Sequence, residues 1–121
     1  MKTVLIVDDD LVSRALARHV VSAMDCHMLE ASNGLEAFKI CKENEIDIIL
    51  SDQEMPEMKG LELRESLGEN FTGKFVLLTG FAEQSELEIK PGSIDAYLTK
   101  PISARELTET LETFLELEIS N

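Results

Sequence analysis

The sequence predicts a three-layer α/β sandwich built on five parallel strands. Five short apolar runs recur along the chain, and patterns with helical spacing fill the intervals between them. Several of the runs are continuous rather than alternating, as expected of parallel strands that are covered on both faces. Because connections between parallel strands are right-handed in nearly all cases, we expect helices on both sides of the sheet. The predicted strands are Thr3–Val7, Met28–Ala31, Ile46–Leu50, Phe75–Leu78 and Ala96–Leu98.

Amphipathic helices are predicted after the first and second strands. Apolar residues recur every three or four positions in each interval, so that one face of each helix can pack on the sheet. These apolar positions are Leu11, Ala15, Leu16, Val20 and Ala23 in the first helix, and Leu35, Phe38 and Cys41 in the second.

The last two helical segments differ in strength. The helix between the fourth and fifth strands should be short, because Pro91 disfavours a helical conformation at the residue before it and Pro91-Gly92 is typical of a turn. The last helix has a start signal, since Ser103 followed three residues later by Glu106 forms a capping box. Its apolar positions are Leu107, Leu111, Phe114 and Leu115.

Length and charge restrict the classes of protein that fit. The 121 residues suit one domain over residues 1–121, with a single core. The net charge of −13 weighs against unaided binding of nucleic acid, because that binding depends on neutralisation of phosphates by Lys and Arg. No apolar run approaches the about 20 residues needed to span a membrane, and the N-terminus lacks the pattern of a signal peptide. We therefore expect a cytoplasmic protein.

Acidic side chains follow two of the predicted strands. Asp8, Asp9 and Asp10 come directly after the first strand, and Asp52 follows the third. If these two strands are neighbours, Asp8, Asp9 and Asp52 converge at one edge of the sheet. Two carboxylates about 4 Å apart repel by a few kcal/mol, so we expect a cation there, and oxygen ligands suit Mg²⁺. The alternative is that the acids only cap the following helix.

A hydroxyl and an ammonium group follow two further strands. Thr79 ends the fourth predicted strand, and Lys100 follows the fifth, directly before Pro101. With a metal ion, these groups could each bind one oxygen of a phosphoryl group. Separately, Thr79 could be an ordinary strand residue and Lys100 a surface charge. The agreement of four strand ends favours a functional site.

These residues resemble the receiver domains of two-component response regulators. The resemblance spans almost the whole chain, and four separated motifs occur in the order and spacing of that family. It implies a flavodoxin-like fold whose strand order is 2-1-3-4-5. The four motifs are Val7-Asp8-Asp9-Asp10, Asp52-Gln53-Glu54-Met55-Pro56 with Met58 and Gly60, Leu78-Thr79-Gly80, and Tyr97-Leu98-Thr99-Lys100-Pro101. The stretch Asn33-Gly34-Leu35-Glu36-Ala37, which opens the second helix, is also typical of the family.

The resemblance implies that Asp52 is the phosphoacceptor. It would attack a phosphohistidine carried by a sensor histidine kinase or a histidine phosphotransfer protein. Asp9 and Asp52 would ligate Mg²⁺ together with the backbone carbonyl of Glu54, while Asp8 would act through water. Lys100 would pair with a phosphoryl oxygen, and its peptide bond to Pro101 is expected to be cis.

The resemblance also implies a switch. Thr79 would move toward the phosphoryl group, and Tyr97 would turn inward into the space that it leaves. The altered face would be read by an effector protein or domain, or by a second copy of the chain. The chain stops a few residues after the last predicted helix, so we expect no output domain in it. A stand-alone receiver and the N-terminal part of a longer regulator both stay open.

Two departures from the family pattern affect these expectations. The shortened fourth helix, with Pro91-Gly92, would remodel part of the usual output face. Phe81, close to Thr79, would alter how quickly water reaches the phosphorylated aspartate. We therefore expect a dephosphorylation rate unlike that of the chemotaxis receiver, which Phe81→Ala would test.

Three other functions share part of this sequence pattern. A phosphohydrolase of the haloacid dehalogenase type would use Asp8 as its nucleophile, but Val12 stands where that family has Thr and the chain leaves little room for a cap. A flavodoxin would need a phosphate-binding loop where the acids of residues 8–10 lie. A phosphorylation-independent pseudo-receiver would act only as a scaffold, against which the intact set of Asp8, Asp9, Asp52, Thr79 and Lys100 argues.

Overall fold

Five parallel strands form one sheet, as the sequence predicts. They are β1 (Thr3–Val7), β2 (His27–Ala31), β3 (Ile48–Asp52), β4 (Lys74–Gly80) and β5 (Ala96–Lys100). Their order across the sheet is β2-β1-β3-β4-β5, which is the order that the family resemblance implies. The computed structural model describes residues 1–80, 89–90 and 92–117. The short helix predicted between β4 and β5, and the position of Phe81, lie outside these residues.

Four helices occur in the described part of the chain. They are α1 (Leu11–Ser22), α2 (Gly34–Glu43), α3 (Gly60–Leu67), which continues into a 3₁₀ turn at Gly68–Asn70, and α4 (Ala104–Leu117). None of the helices in the described ranges is long and apolar enough to cross a membrane.

The sheet separates two apolar clusters, which gives the predicted three layers. Side chains of a strand point alternately to opposite faces, so even- and odd-numbered residues enter different clusters. One cluster joins α1 and α4 to Val4, Ile6, Ile48, Leu50, Val76, Leu78 and Leu98. The other joins α2 and α3 to Leu5, Val7, Ile49, Phe75 and Leu77. Central strand β3 is buried along its whole length.

Side-chain caps fix where three of the helices begin. Asp10 caps α1 by accepting hydrogen bonds from the amides of the first turn. The Asn33 side chain accepts from the Glu36 amide at 2.8 Å and caps α2. At the start of α4, the Ser103 hydroxyl accepts from the Glu106 amide at 3.2 Å, as the capping-box pattern predicts.

Several details of the sequence prediction were wrong. Ala23 lies just beyond the end of α1 and is exposed, and Leu35, expected in the buried stripe of α2, is 53% exposed. Leu11 was expected in the buried stripe of α1 but is 70% exposed, and the buried residues of this helix are Ala17, Val20 and Val21. Leu11 occupies the first turn, at the edge of the sheet where β1 has ended, so no strand lies beneath it. Strand β3 is also shifted by two residues from the predicted Ile46–Leu50. It begins at Ile48 and ends at Asp52, which pairs with Leu78 of β4.

Candidate functional site

Three acidic side chains lie together at the carboxyl ends of β1 and β3. One oxygen each from Asp8, Asp9 and Asp52 lies within 4.8 Å of the other two. The strands are direct neighbours, with Val7 opposite Ser51, which brings their ends together. Asp8 and Asp52 are buried, whereas Asp9 is exposed. The cluster is therefore a mainly buried acidic site that meets solvent at Asp9.

The acidic run after β1 divides into two structural roles. Both Asp10 carboxylate oxygens face the start of α1, where they accept from the Val12 and Ser13 amides and from the Ser13 hydroxyl at 2.8 Å. The bonds from Ser13 and Val12 hold the pKa of Asp10 below its ordinary value. Asp8 instead accepts from the Asp10 amide at 2.9 Å. Helix capping thus accounts for Asp10 and leaves Asp8 and Asp9 with the acidic cluster.

Lys100 brings a positive charge to this cluster from the end of β5. Its Nζ lies 3.2 Å from Asp52 Oδ2 and 3.5 Å from Asp8 Oδ2. Burial by itself would lower the pKa of Lys100, but the charges of Asp52 and Asp8 raise it above its ordinary value. The peptide bond from Lys100 to Pro101 is cis, as the family resemblance implies. One ammonium group therefore pairs with two of the three carboxylates of the cluster.

Burial, together with the negative charge of the cluster that Lys100 does not fully offset, raises the pKa values of the two buried carboxyl groups. Burial raises the pKa of Asp52 to about 6, and the nearby charge of Asp8 adds to this effect. Lys100 and a hydrogen bond from the Glu54 amide act in the opposite direction but do not cancel it. Burial also raises the pKa of Asp8. The site therefore holds its negative charges at a free-energy cost that an additional cation would reduce.

Two buried oxygen atoms at this edge lack hydrogen-bond partners within the described residues. They are Oδ2 of Asp8 and Oγ1 of Thr79. The Asp8 oxygen has Lys100 at ion-pair distance only, and Thr79 is fully buried near the end of β4. A set of anionic oxygen donors with an unsatisfied oxygen fits a hard cation such as Mg²⁺. The unpaired hydroxyl fits a second oxygen-bearing group.

The Glu54 side chain is paired on the surface, and Tyr97 is half-exposed on β5. The Glu54 carboxylate pairs with Lys59 Nζ at 2.6 Å on the surface. Tyr97 is 47% exposed and lies opposite Leu77, whereas Thr79 lies opposite Thr99. Because residues two apart on a strand share a face, Tyr97 and Thr79 are on the same side of the sheet.

Sequence reasoning gave no role to two residues that shape this site. The Arg14 guanidinium donates to the backbone carbonyl of Asp8 at 3.1 Å, yet an Arg in an amphipathic helix carries no distinctive sequence signal. Gln53 is buried, and its side-chain oxygen accepts from the Leu61 amide at 2.8 Å, which attaches the end of β3 to α3. The sequence signal for Gln53 is limited to its place after Asp52 in the stretch Asp52-Gln53-Glu54-Met55-Pro56.

A glycine permits the close approach of α3 to the end of β3. A Cβ atom on Gly60 would lie 2.6 Å from the backbone oxygen of Asp52 and 2.8 Å from a methyl group of Leu77. The Gly60 amide donates to the Gln53 carbonyl at 3.1 Å across this contact. A side chain at this position would therefore displace the backbone that carries Asp52.

Comparison with known proteins agrees with this geometry. The family model described as "Response regulator receiver domain" matches residues 4–112. The polar-differentiation response regulator DivK of Brucella anthropi is 33% identical over 118 residues, covering 94% of this chain and 96% of DivK.

Solved structures give the same result for the fold. The chemotaxis response regulator CheY4 of Vibrio cholerae superposes with a TM-score of 0.83 at 26% identity, over 94% of this chain and 98% of CheY4. The signal receiver domain of an HD domain-containing protein from Pseudomonas fluorescens Pf-5 gives 0.85 at 25% identity, over 99% and 98% of the two chains. Sequence, fold and the arrangement of strand-end residues agree, and the chain belongs to the response regulator receiver domain family of two-component signalling.

Proposed function

We propose that this chain accepts a phosphoryl group on Asp52, in the presence of Mg²⁺, from a phosphohistidine of a sensor histidine kinase or a histidine phosphotransfer protein. The placement of Asp52 carries the proposal. Its carboxylate is buried at the end of the central strand, among the Asp8 and Asp9 carboxylates and 3.2 Å from Lys100 Nζ. Phosphoryl transfer depends mainly on positioning the reactants and on offsetting charge at the phosphoryl oxygens, and this site has groups for both.

The transfer exchanges one bond to phosphorus for another. A carboxylate oxygen of Asp52 attacks the phosphorus, an O–P bond forms, and the P–N bond to the donor imidazole breaks with its electron pair returning to nitrogen. Only the ionised carboxylate is a nucleophile. With the pKa of Asp52 at about 6, roughly nine-tenths of the molecules carry it ionised at pH 7.

Lys100 and Thr79 would bind oxygens of the transferred group. Lys100 Nζ already lies beside the Asp52 carboxylate, so a phosphoryl group bonded to Asp52 comes within its reach. The buried Thr79 hydroxyl can donate a hydrogen bond to another oxygen. These contacts form only when the phosphoryl group arrives, so their free energy favours transfer rather than the resting state.

The acidic residues would hold the metal ion. Asp9 and Asp52 would ligate Mg²⁺ with their carboxylates, Glu54 with its backbone carbonyl, and Asp8 through water. When bound, Mg²⁺ supplies positive charge that offsets the carboxylates and the incoming phosphoryl oxygens.

Phosphorylation would be read out through Thr79 and Tyr97. If the Thr79 hydroxyl moves toward the phosphoryl group, it leaves space on the face of the sheet that Thr79 shares with Tyr97. The Tyr97 ring, which is half-exposed in this structure, can then turn into that space. This change alters the surface around β5 and α4 that an effector protein or domain, or a second copy of the chain, would contact. We place this activity in the cytoplasm, where sensor kinases present their phosphohistidine.

The test is phosphorylation by acetyl phosphate with and without Mg²⁺, followed on a phosphate-affinity gel. We expect a shifted band for the wild type that requires Mg²⁺ and is lost in Asp52→Asn. Asp10→Asn is the matched control, because it removes an acid of the same cluster region whose side chain only caps α1. That variant should shift like the wild type.

The same gel separates the alternatives. A shift that survives Asp52→Asn and disappears in Asp8→Asn would support an Asp8 nucleophile of the haloacid dehalogenase type. No shift in the wild type, with either acetyl phosphate or a phosphorylated histidine phosphotransfer protein, would support a pseudo-receiver scaffold. Either result would contradict the proposal.

A further inference from the structure

Arg14 reaches back from α1 to the end of β1. Its Nη1 donates to the backbone carbonyl oxygen of Asp8 at 3.1 Å. Its own amide donates to the carbonyl oxygen of Asp10 at 3.0 Å, within the first helical turn. The side chain of Arg14 therefore binds the carbonyl of Asp8, and its backbone amide, like that of any residue in this place, binds the carbonyl of Asp10. The backbone on both sides of the exposed Asp9 is therefore held by hydrogen bonds, which fix where its Cα–Cβ bond starts.

Glu30 on β2 holds the Arg14 guanidinium in place. Arg14 Nε lies 3.5 Å from Glu30 Oε1, and the Arg14 side chain is only 20% exposed. Arg18, one helical turn further along α1, approaches the same oxygen at 3.4 Å but is 49% exposed. Both arginines thus share one carboxylate, and of these two Arg14 alone is bonded to the acidic loop in the described structure.

The contact has the geometry of orientation rather than of charge neutralisation. Arg14 donates to a carbonyl of the Asp8–Asp9 peptide and not to either carboxylate. A hydrogen bond to a carbonyl is directional, and a peptide unit is planar, so this bond fixes the plane that joins the two acids. The guanidinium stays charged at every accessible pH, so this hydrogen-bond donor is always present.

We propose that Arg14, oriented by Glu30, is a positioning residue that fixes the Asp8–Asp9 peptide so that both carboxylates face a bound divalent cation. The proposal rests on the Mg²⁺-dependent function proposed above. Loss of a group that orients a metal ligand typically weakens metal binding by about 10- to 100-fold. Arg14 acts here through the peptide backbone.

The test compares Mg²⁺ binding by unphosphorylated Arg14→Met and Arg18→Met. Each variant removes one positive charge and one ion pair with Glu30, and each keeps an unbranched side chain on α1. We expect the dissociation constant for Mg²⁺, measured by calorimetry, to rise about tenfold or more in Arg14→Met and less than about twofold in Arg18→Met. In amide NMR spectra of the metal-free proteins, the Asp9 and Asp10 signals should shift in Arg14→Met only.

A second variant keeps the test decisive if Arg14→Met does not fold. Glu30→Gln leaves Arg14 in the chain but removes its ion pair, and we expect it to weaken Mg²⁺ binding more than Arg18→Met does. Equal Mg²⁺ affinities in all three variants would overturn the role of Arg14. In that case, phosphorylation of the wild type on Asp52 would show that the proposed function still holds. A wild type that neither binds Mg²⁺ nor accepts a phosphoryl group would overturn both.

Discussion

Replacing Asp52 with Asn should make the metal-free protein more stable. The substitution keeps the shape of the side chain and removes a negative charge that is buried beside Asp8. Burial raises the pKa of Asp52 from its ordinary value of 3.8 to about 6. The folded protein therefore binds more protons than the unfolded chain in this range, and its stability falls as pH rises from about 4 to about 6.

The size of the effect follows from the two pKa values. The pKa of Asp52 is about 2 higher in the folded protein than in the unfolded chain, which corresponds to about 3 kcal/mol. Above pH 7, ionised Asp52 destabilises the folded state by this full amount. Asn does not ionise, so Asp52→Asn should raise the free energy of unfolding by at most about 3 kcal/mol at pH 7.5. About half of this gain should remain at pH 5. For a domain of this size, about 3 kcal/mol corresponds to roughly 10 °C in Tm.

The assay is urea unfolding of both proteins from pH 5 to pH 8 in the presence of a chelator. Asp10→Asn is the control, because hydrogen bonds lower the pKa of Asp10 and its neutralisation should therefore not stabilise the fold. Added Mg²⁺ should stabilise the wild type more than Asp52→Asn and so narrow the gap. A gap that is absent, or that grows as pH falls, would refute the reasoning that Asp52 is ionised at a cost.

Other substitutions test separate parts of the site. Thr79→Val removes a buried hydroxyl without a partner in the described residues, so it should raise the free energy of unfolding by about 1 kcal/mol and slow phosphorylation by acetyl phosphate. A variant that is less stable than the wild type in urea unfolding would contradict this. Gly60→Ala should lower the free energy of unfolding by about 1–3 kcal/mol and slow phosphorylation, because the Cβ of the alanine would displace the backbone of Asp52. Wild-type values in both assays would show that the backbone can relax around this Cβ. Leu11 is an exposed apolar residue beside the site, where a phosphotransfer protein could dock, so Leu11→Asp should slow phosphoryl transfer from a histidine phosphotransfer protein but not from acetyl phosphate. Equal slowing with both donors would exclude a role of Leu11 in docking that protein. Glu57→Asn should raise the free energy of unfolding by up to about 1 kcal/mol in the same unfolding assay, since φ at Glu57 is 69° and Asn tolerates that conformation better than Glu does. An unchanged free energy of unfolding would mean that the backbone at Glu57 is not strained.

The strands could be predicted because they are apolar, and their ends were missed because they are polar. The prediction for β1 matches the structure. Strand β3 begins at Ile48 rather than at the predicted Ile46, and it continues beyond Leu50 to Asp52. Strand β4 likewise continues to Gly80 and β5 to Lys100. Pairing between strands uses backbone groups, so the ladder does not stop where the side chains become polar. The residues beyond each apolar run are those of the candidate site, which is where local pattern and function are expected to disagree.

The composition of the site was more predictable than its supports. Polar residues at strand ends are visible in the sequence, and Asp8, Asp9 and Asp52 converge once β1 and β3 are neighbours. The sequence alone does not fix that strand order, which came from the family resemblance. Nor could it separate Asp10, which caps α1, from the two acids before it. That division depends on the exact residue at which the helix begins, and a one-residue difference is beyond what periodicity resolves.

The stability of this fold and its proposed chemistry are opposed at one edge of the sheet. Neighbouring strands β1, β3 and β4 carry, at or beside their carboxyl ends, Asp8, Asp52 and Thr79, and each of these side chains is buried at a cost in the described structure. A sheet selected only for stability would have apolar or fully hydrogen-bonded residues in these places, since an unpaired buried polar group costs about 1–3 kcal/mol. A divalent cation and a phosphoryl group would together supply what the three side chains lack: positive charge for the carboxylates and a hydrogen-bond acceptor for the hydroxyl. The destabilisation that Asp52→Asn and Thr79→Val should relieve is therefore the free energy that binding and phosphorylation can recover.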